Sequence, residues 1–229
     1  MTCSHCVVTD RQFDPTIARA DLKRFRRRGA DAATRKLVAA VQAAELPREA
    51  TLLDIGGGIG AIHHHLLDRG FARAEHVDAS AAYIAAAKGE AERLGHGKRV
   101  TFRHADVRAV ADELALADVV TLDRVVCCDP DYAGLLRAAA DHARKLLAFS
   151  YPRRNWLSRA IAECGNRWRA LWRDPFRSYI HAPAAMAAVV ERAGLQRRWQ
   201  GGTPLWVVVV FERSARRRPI SSKTPLSAF

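Results

Sequence analysis

The stretch LLDIGGGIG, residues 52–60, carries the strongest structural signal in the sequence. Its apolar start predicts a buried strand ending near Asp54, and the alternating Gly56, Gly58 and Gly60 predict a tight turn into a helix. Glycine suits such a turn because the backbone can adopt positive φ and a ligand can approach closely. Together with the alanine that follows, the stretch also satisfies the dinucleotide fingerprint G-x-G-x-x-G/A, so the glycines alone fit two classes of cofactor.

The carboxylate of Asp54 distinguishes between these two classes. A dinucleotide would bring a doubly anionic pyrophosphate to the turn, where a carboxylate two residues before the first glycine would repel it. S-adenosylmethionine has no phosphate, and it carries a sulfonium and an ammonium group that a carboxylate attracts. The sequence therefore favours S-adenosylmethionine as the cofactor.

Two further acids follow the next two predicted strands. In HVDAS the second predicted strand ends with Asp78, which is followed by Ala79, and in FRHADV Asp106 follows the third strand and is followed by Val107. In ribose-binding α/β folds an acid at the first of these positions accepts from the ribose hydroxyls, and an acid at the second could accept from the adenine amino group while Val107 packs against the ring. Either acid could instead simply cap the helix after it. Three acids at consecutive strand ends favour the cofactor-binding interpretation.

Outward from this stretch, short apolar runs alternate with alanine-rich helical segments, which is typical of a parallel sheet covered on both faces. The last two strands are joined by a short Gly-Pro turn and are expected to pair antiparallel. We therefore predict an α/β fold: a Rossmann-like, doubly wound, mostly parallel seven-stranded sheet with an antiparallel C-terminal strand pair and helical additions. Strands are predicted at 51–55, 74–78, 100–104, 119–122, 146–150, 196–200 and 205–212, and helices at 15–28, 31–44, 61–69, 81–94, 107–114, 132–142, 153–172 and 183–193.

Residues 51–150 and the terminal strand pair resemble the class I S-adenosylmethionine-dependent methyltransferase superfamily. The resemblance rests on an acidic strand end before G-x-G-x-G and on an acid after each of the next two strands. It implies that the methionine, ribose and adenine parts of the cofactor are held by Asp54, Gly56, Gly58, Gly60, Asp78 and Asp106. The segments FDPTIARADLKRFRRRG and LDRVVCC look similar to magnesium-protoporphyrin O-methyltransferases, although Val126, Cys127 and Cys128 replace that family's aromatic and histidine pattern.

The segment after the fourth predicted strand, TLDRVVCCDPDY, is where this class places groups beside the transferable methyl. It lacks the Asn/Asp-Pro-Pro-aromatic motif of enzymes that methylate base amines, and its two cysteines are interpreted as buried structural thiols. Asp123, which would also contact the cofactor, and His181 are candidate general bases. An anionic-substrate subsite is predicted from the arginine forks and one tyrosine, at Arg124, Tyr151, Arg153 and Arg177, which could equally be surface arginines and a core-edge tyrosine.

The net charge of +13 is concentrated in two segments. Residues 19–36 hold eight basic and two acidic residues, and residues 213–229 hold five basic residues and no acid. We predict an N-terminal helical cap with a basic helix at 1–45, a methyltransferase domain at 46–213 with a helical substrate-side insertion at about 151–194, and a disordered basic tail at 214–229. The favoured function is methylation of a small-molecule acceptor. The alternatives are an RNA methyltransferase that uses the basic arm and tail, and a nicotinamide-dependent oxidoreductase.

No metal site is predicted from the histidines or cysteines. The consecutive His63, His64 and His65 would point about 100° apart on a helix and could not readily converge on one ion. Cys3 and Cys6 form half of a zinc site at best. An odd number of cysteines, no signal peptide and no apolar run long enough to cross a bilayer favour a cytoplasmic protein, and the sequence does not fix its oligomeric state.

Overall fold

A computed structural model describes residues 4–214 and contains one seven-stranded sheet in the order β3-β2-β1-β4-β5-β7-β6. Strands β1 to β5 are parallel, and β7 pairs antiparallel with both β5 and β6. The predicted fold class is confirmed. The strands are β1 (Thr51–Ile55), β2 (Arg73–Asp78), β3 (Val100–His104), β4 (Ala117–Leu122), β5 (Ala143–Pro152), β6 (Leu195–Gly202) and β7 (Trp206–Arg213).

Within the described residues, eight α-helices accompany the sheet: α1 (Ser4–Gln12), α2 (Pro15–Arg28), α3 (Ala32–Gln42), α4 (Ala61–Leu67), α5 (Ala81–Arg93), α6 (Tyr132–His142), α7 (Trp156–Leu171) and α8 (Pro183–Arg192). Local sequence explains several helix starts. Asp14, Asp31 and Asn155 each accept hydrogen bonds from the first turn of the helix that follows, which satisfies N–H groups that otherwise lack partners. No helix in the described part of the chain is long and apolar enough to cross a membrane.

Alternate residues of the central strands face two separate hydrophobic cores. On β1, Leu52 packs in the core that includes α3 and α4, whereas Leu53 and Ile55 pack in the core that includes α6 and α8. This alternation follows from the two-residue repeat of a strand. It also places Asp54 on the same face as Leu52, beneath α4.

Two predicted segments differ from the structure. Residues 107–114 form only a single 3₁₀ turn at Ala111–Glu113 instead of a helix. At the start of this segment Asp106 accepts from the N–H of Arg108 and pairs with its guanidinium, as acids that compete with helical hydrogen bonds do. The segment before residue 15, which includes Cys6 and for which no helix was predicted, contains α1. Cys3 and residues 215–229, the larger part of the predicted tail, lie outside the described residues.

Helices α1 and α2 lie against the carboxyl end of β2 and the start of α5. Ser80 Oγ donates to the carbonyl oxygen of Phe13 at 2.7 Å, and the Tyr83 hydroxyl donates to Asp21 at 2.6 Å. Arg26 forms an ion pair with the buried Glu90 at 2.6 Å. These polar contacts hold the basic N-terminal helix over the sheet edge where the predicted site residues cluster.

Candidate functional site: a cavity at the carboxyl edge of the sheet

A cavity of about 670 Å³ lies between the carboxyl ends of the parallel strands and the N-terminal helices. Ligands bind at this edge in open α/β sheets, and the volume is within the usual range for small-molecule sites. The predicted cofactor residues in its wall are Gly56, Gly58, Asp78, Ala79, Asp106, Val107 and Asp123. The chain therefore brings together in one cavity most of the cofactor residues predicted from three strand ends and the glycine turn.

The glycine turn follows β1 and presents its backbone to the cavity. Gly56 has a φ of 61°, its N–H donates to the Val77 carbonyl at 2.7 Å, and a Cβ added to it would overlap the side chain of Val125. Gly58 has a φ of 57°, and Gly60, with a φ of 86°, lies outside the cavity wall at the start of α4. The turn thus depends on glycine for positive φ throughout and for close packing at Gly56.

Asp78 is held rigidly at the end of β2. Its two carboxylate oxygens accept from the N–H groups of Gly58, at 2.9 Å, and Ser80, at 2.8 Å. Burial raises the pKa of Asp78 to about 6 despite these hydrogen bonds. Each carboxylate oxygen retains a second lone pair, so this side chain can still accept from two ligand hydroxyls.

Asp106 is already paired with a residue that the sequence analysis missed. Arg108 Nη2 lies 2.8 Å from Asp106 Oδ2 and 2.9 Å from Asp129 Oδ2, and all three residues line the cavity. Burial alone would raise the pKa of Asp106, but the hydrogen bonds and charge of Arg108 hold it below its usual value. The spacing Asp-x-Arg in ADVR was the available signal. Val107, between them, is buried in the cavity wall and offers an apolar surface.

Asp54 lies behind the glycine turn and does not line the cavity. It is fully buried, accepts from Thr121 Oγ1 at 2.7 Å and lies 3.4 Å from His63 Nδ1. A Cβ added to Gly57 would lie 2.7 Å from Asp54 Oδ2, so the turn separates this carboxylate from the cavity. The expectation that Asp54 faces a bound ligand directly is thus corrected. Burial raises its pKa to about 6.

A buried histidine cluster surrounds Asp54 and consists of His63, His64, His76 and His96. The Nδ1 atoms of His63 and His76 lie 3.2 Å apart, and the Nδ1 atoms of His64 and His96 lie 3.1 Å apart. Burial lowers the pKa of His63, His64 and His76 to about 3, so these imidazoles are neutral at physiological pH. Consecutive histidines do point to different partners, as predicted, but β2 supplies a third group: Asp54, His63 and His76 each place a ligating atom within 4.8 Å of the others.

Asp123 and Arg124 follow β4 and line the cavity as predicted. Asp123 accepts hydrogen bonds from the hydroxyls of Thr34 and Ser150, each at 2.5 Å. Arg124 has a φ of 61°, which is uncommon outside glycine, and its guanidinium lies 2.6 Å from Asp31. Contacts from α3 and β5 therefore fix both side chains at the point where the fourth strand ends.

The other predicted acceptor-side residues are not in the cavity wall. His181 Nε2 donates to the carbonyl oxygens of Val126 and Asp129, at 3.1 and 3.0 Å, so this imidazole is occupied by the backbone. Tyr151 is buried in the core beside Phe149. Arg153 is exposed and donates to the Thr203 carbonyl, and Arg177 donates to the carbonyls of Asp174 and Phe176. The structure thus separates these four residues from Asp123 and Arg124.

Other cavity residues come from segments that sequence reasoning did not assign to the site. Arg28 ends α2 and Arg169 lies on α7, and among the described residues no carboxylate forms an ion pair with either. Cys6, Cys127 and Cys128 also line the wall. Cys127 is buried, and its hydrogen bond with Cys128, together with burial, raises the pKa of its thiol, which fits the predicted structural role.

The fold and this cavity define a Rossmann-like protein of the class I methyltransferase type. The sequence profile of the methyltransferase-domain family matches residues 22–198, and the chain belongs to this family. The predictions of a methyltransferase and of S-adenosylmethionine as its methyl donor are confirmed at this level.

Several solved structures are similar to the chain. Magnesium protoporphyrin IX methyltransferase from Synechocystis PCC 6803 with bound SAH is 19% identical, with a TM-score of 0.70, over 91% of this chain and 99% of that one. An O-methyltransferase family protein from Burkholderia thailandensis is 19% identical, with a TM-score of 0.69, over 90% and 62% of the two chains. An O-methyltransferase family 2 protein from Planctomyces limnophilus in complex with apigenin is 17% identical, with a TM-score of 0.63, over 87% and 62%. No curated protein matches the sequence.

Proposed function

We propose that this methyltransferase acts on a small, anionic acceptor bound between the cofactor edge and the N-terminal helices. The observation that carries the proposal is that three arginines of the cavity wall, Arg28, Arg35 and Arg169, have no carboxylate partner among the described residues. Arg108 and Arg124, which also line the cavity, are neutralised by aspartates. A guanidinium without an acidic partner matches a carboxylate or phosphate group of a ligand.

The residues at the sheet edge suit the parts of S-adenosylmethionine. The turn at Gly56 and Gly58 leaves room for the methionine moiety, Asp78 accepts from the ribose hydroxyls, and Val107 packs on the adenine. The bound cofactor supplies an activated methyl group on its sulfonium. In-line transfer then requires the acceptor atom to be held close to that methyl and in line with it, which the enclosing helices favour.

Asp123 is the proposed general base for an acceptor that must lose a proton. Its carboxylate lines the cavity, the hydroxyls of Thr34 and Ser150 orient it, and the guanidinium of Arg124 lies 3.4 Å from its Oδ2. Oδ2 accepts from both Thr34 and Arg124, whereas Oδ1 accepts only from Ser150 and keeps a lone pair that can take a proton from an acceptor hydroxyl. His181 is not proposed for this role because it does not line the cavity and its Nε2–H donates to the carbonyl oxygens of Val126 and Asp129.

Two of the similar structures also involve small organic molecules, namely the magnesium protoporphyrin IX methyltransferase and the apigenin complex. The test incubates the full chain with cell extract and S-adenosylmethionine carrying a labelled methyl group. Label in the low-molecular-mass fraction, lost in Arg28→Gln or Arg169→Gln with S-adenosylhomocysteine affinity retained, supports the proposal. Label confined to RNA would contradict it and support the RNA alternative.

A further inference from the structure

Helix α7 presents its apolar face to solvent. The side chains of Trp156, Ile161, Trp168 and Leu171 on α7, and of Trp172 directly after it, are all exposed, with exposures from 55% at Ile161 to 79% at Trp156. At about 100° per residue they fall within roughly 160° of the helix circumference. We call these five residues the tryptophan face. Scattered exposed apolar residues are common, but a continuous face of this kind marks an interaction surface.

The opposite side of α7 is small and polar and contacts the protein. Ser158 is buried, and Asn166 exchanges two hydrogen bonds with the backbone of Ser178, each at 2.8 Å. The usual arrangement of a surface helix is therefore reversed, because its polar side faces the protein and its apolar side faces outward. This orientation is fixed by the Asn166–Ser178 pair, so rolling the helix to bury its tryptophans would break two hydrogen bonds.

The charge around the tryptophan face is strongly positive. Residues 153–173 contain six arginines and one acid, Glu163, which pairs with Arg167 at 2.8 Å. Arg154 and Arg159 are exposed and flank the face. Exposed tryptophan and leucine with arginines beside them is the composition of helices that lie in the interface of anionic lipid bilayers. A surface that binds another protein would not require such an excess of positive charge around its apolar residues.

We propose that the tryptophan face docks the protein on an anionic membrane surface. The tryptophan rings and aliphatic side chains enter the region between headgroups and acyl chains, and the flanking arginines contact the lipid phosphates. This inference does not depend on the identity of the methyl acceptor. It concerns peripheral binding, since the helix lies along the surface and does not cross the bilayer.

The test measures co-sedimentation of the full chain with vesicles of phosphatidylcholine alone and of phosphatidylcholine with about one third phosphatidylglycerol. We expect at least roughly tenfold stronger partitioning to the anionic vesicles, with a blue shift of tryptophan fluorescence. The double variant Trp168→Ser/Trp172→Ser should lose both. The matched control is Leu116→Ser, which removes a half-exposed apolar side chain outside α7. Unchanged circular dichroism and melting temperature would show that the variants fold.

Three outcomes would overturn the proposal. The first is an absence of vesicle binding at low salt. The second is binding that the double variant retains in full while Arg154→Glu/Arg159→Glu abolishes it, because charge alone would then explain it. The third is a wild-type dimer, measured by sedimentation equilibrium, that the double variant dissociates without any vesicle binding, because the tryptophan face would then join two copies of this chain.

Discussion

Replacing Asp78 by asparagine tests the proposed cofactor site most directly. The side chain is buried at the end of β2, and its oxygens accept from the N–H groups of Gly58 and Ser80. Asparagine has almost the same shape, but it replaces one acceptor oxygen by an NH₂ donor. The variant therefore loses an acceptor for ribose hydroxyls and turns a donor towards one of the two backbone N–H groups.

The expected loss is that of about one hydrogen bond to a charged group, roughly 1.5–3 kcal/mol, or about 10- to 100-fold in Kd. Isothermal titration with S-adenosylhomocysteine measures it, and Asp112→Asn, an exposed carboxylate of the same chain, is the control. Because burial raises the pKa of Asp78 to about 6, the carboxylate is neutralised as the pH falls through that value. Wild-type affinity should decrease below pH 6, whereas the variant should lack this dependence. Full affinity with the wild-type pH profile would refute the role of Asp78.

Three further predictions concern the glycine turn and the buried histidine cluster. Gly56→Ala should lower the free energy of unfolding, measured by urea titration, by about 1–3 kcal/mol. The loss should exceed that of Gly95→Ala, because Gly95 has a similar positive φ but no atom within 4 Å of an added Cβ. Equal losses in the two variants would show that the contact with Val125 does not matter. Burial lowers the pKa of His63, His64 and His76 to about 3, against 6.5 when unfolded, so the free energy of unfolding should fall as the pH drops below 6.5, by up to about 1.4 kcal/mol per pH unit for each of the three. His76→Phe should reduce this slope by about one third, and an unchanged slope would contradict the assignment. Elemental analysis of the purified protein should find no stoichiometric zinc, because the Nε2 atoms of His63, His64 and His76 lack the hydrogen-bond acceptor that usually orients a metal-bound imidazole. One equivalent of zinc in the wild-type protein that is lost in His76→Phe would contradict this prediction.

Local patterns were sufficient to predict the sheet and its cofactor edge. Strand β1 and the glycine turn combine apolar periodicity with residues that the backbone geometry requires, so sequence and structure agree there. The antiparallel pairing of β6 with β7 also follows from their connection by a short Gly-Pro turn, whereas β5 extends beyond the predicted 146–150 and its pairing with β7 was not predicted. These features depend on neighbouring residues, which a sequence shows directly.

The acceptor side could not be predicted because it depends on contacts between distant segments. His181 was assigned from its intrinsic pKa, but its neighbours are carbonyl oxygens of residues 126 and 129, more than fifty positions away. Helix α7 illustrates the same limit, since its sequence predicts an amphipathic helix without telling which side faces the protein. Arg28 and Arg169 come into one cavity only after α2 and α7 have packed.

The corrected position of Asp54 changes how it would select a cationic cofactor. Its carboxylate does not line the cavity, but the neighbouring His63 and His76 have pKa values lowered to about 3, so neither is a cation that cancels its charge once the pH exceeds about 6. At an effective dielectric constant of about 20, two unit charges about 10 Å apart still interact by roughly 1.7 kcal/mol. S-adenosylmethionine carries a sulfonium that S-adenosylhomocysteine lacks, so Asp54→Asn should weaken binding of the former about tenfold more than binding of the latter at pH 8. Equal weakening of both ligands would show that Asp54 supports only the shape of the turn.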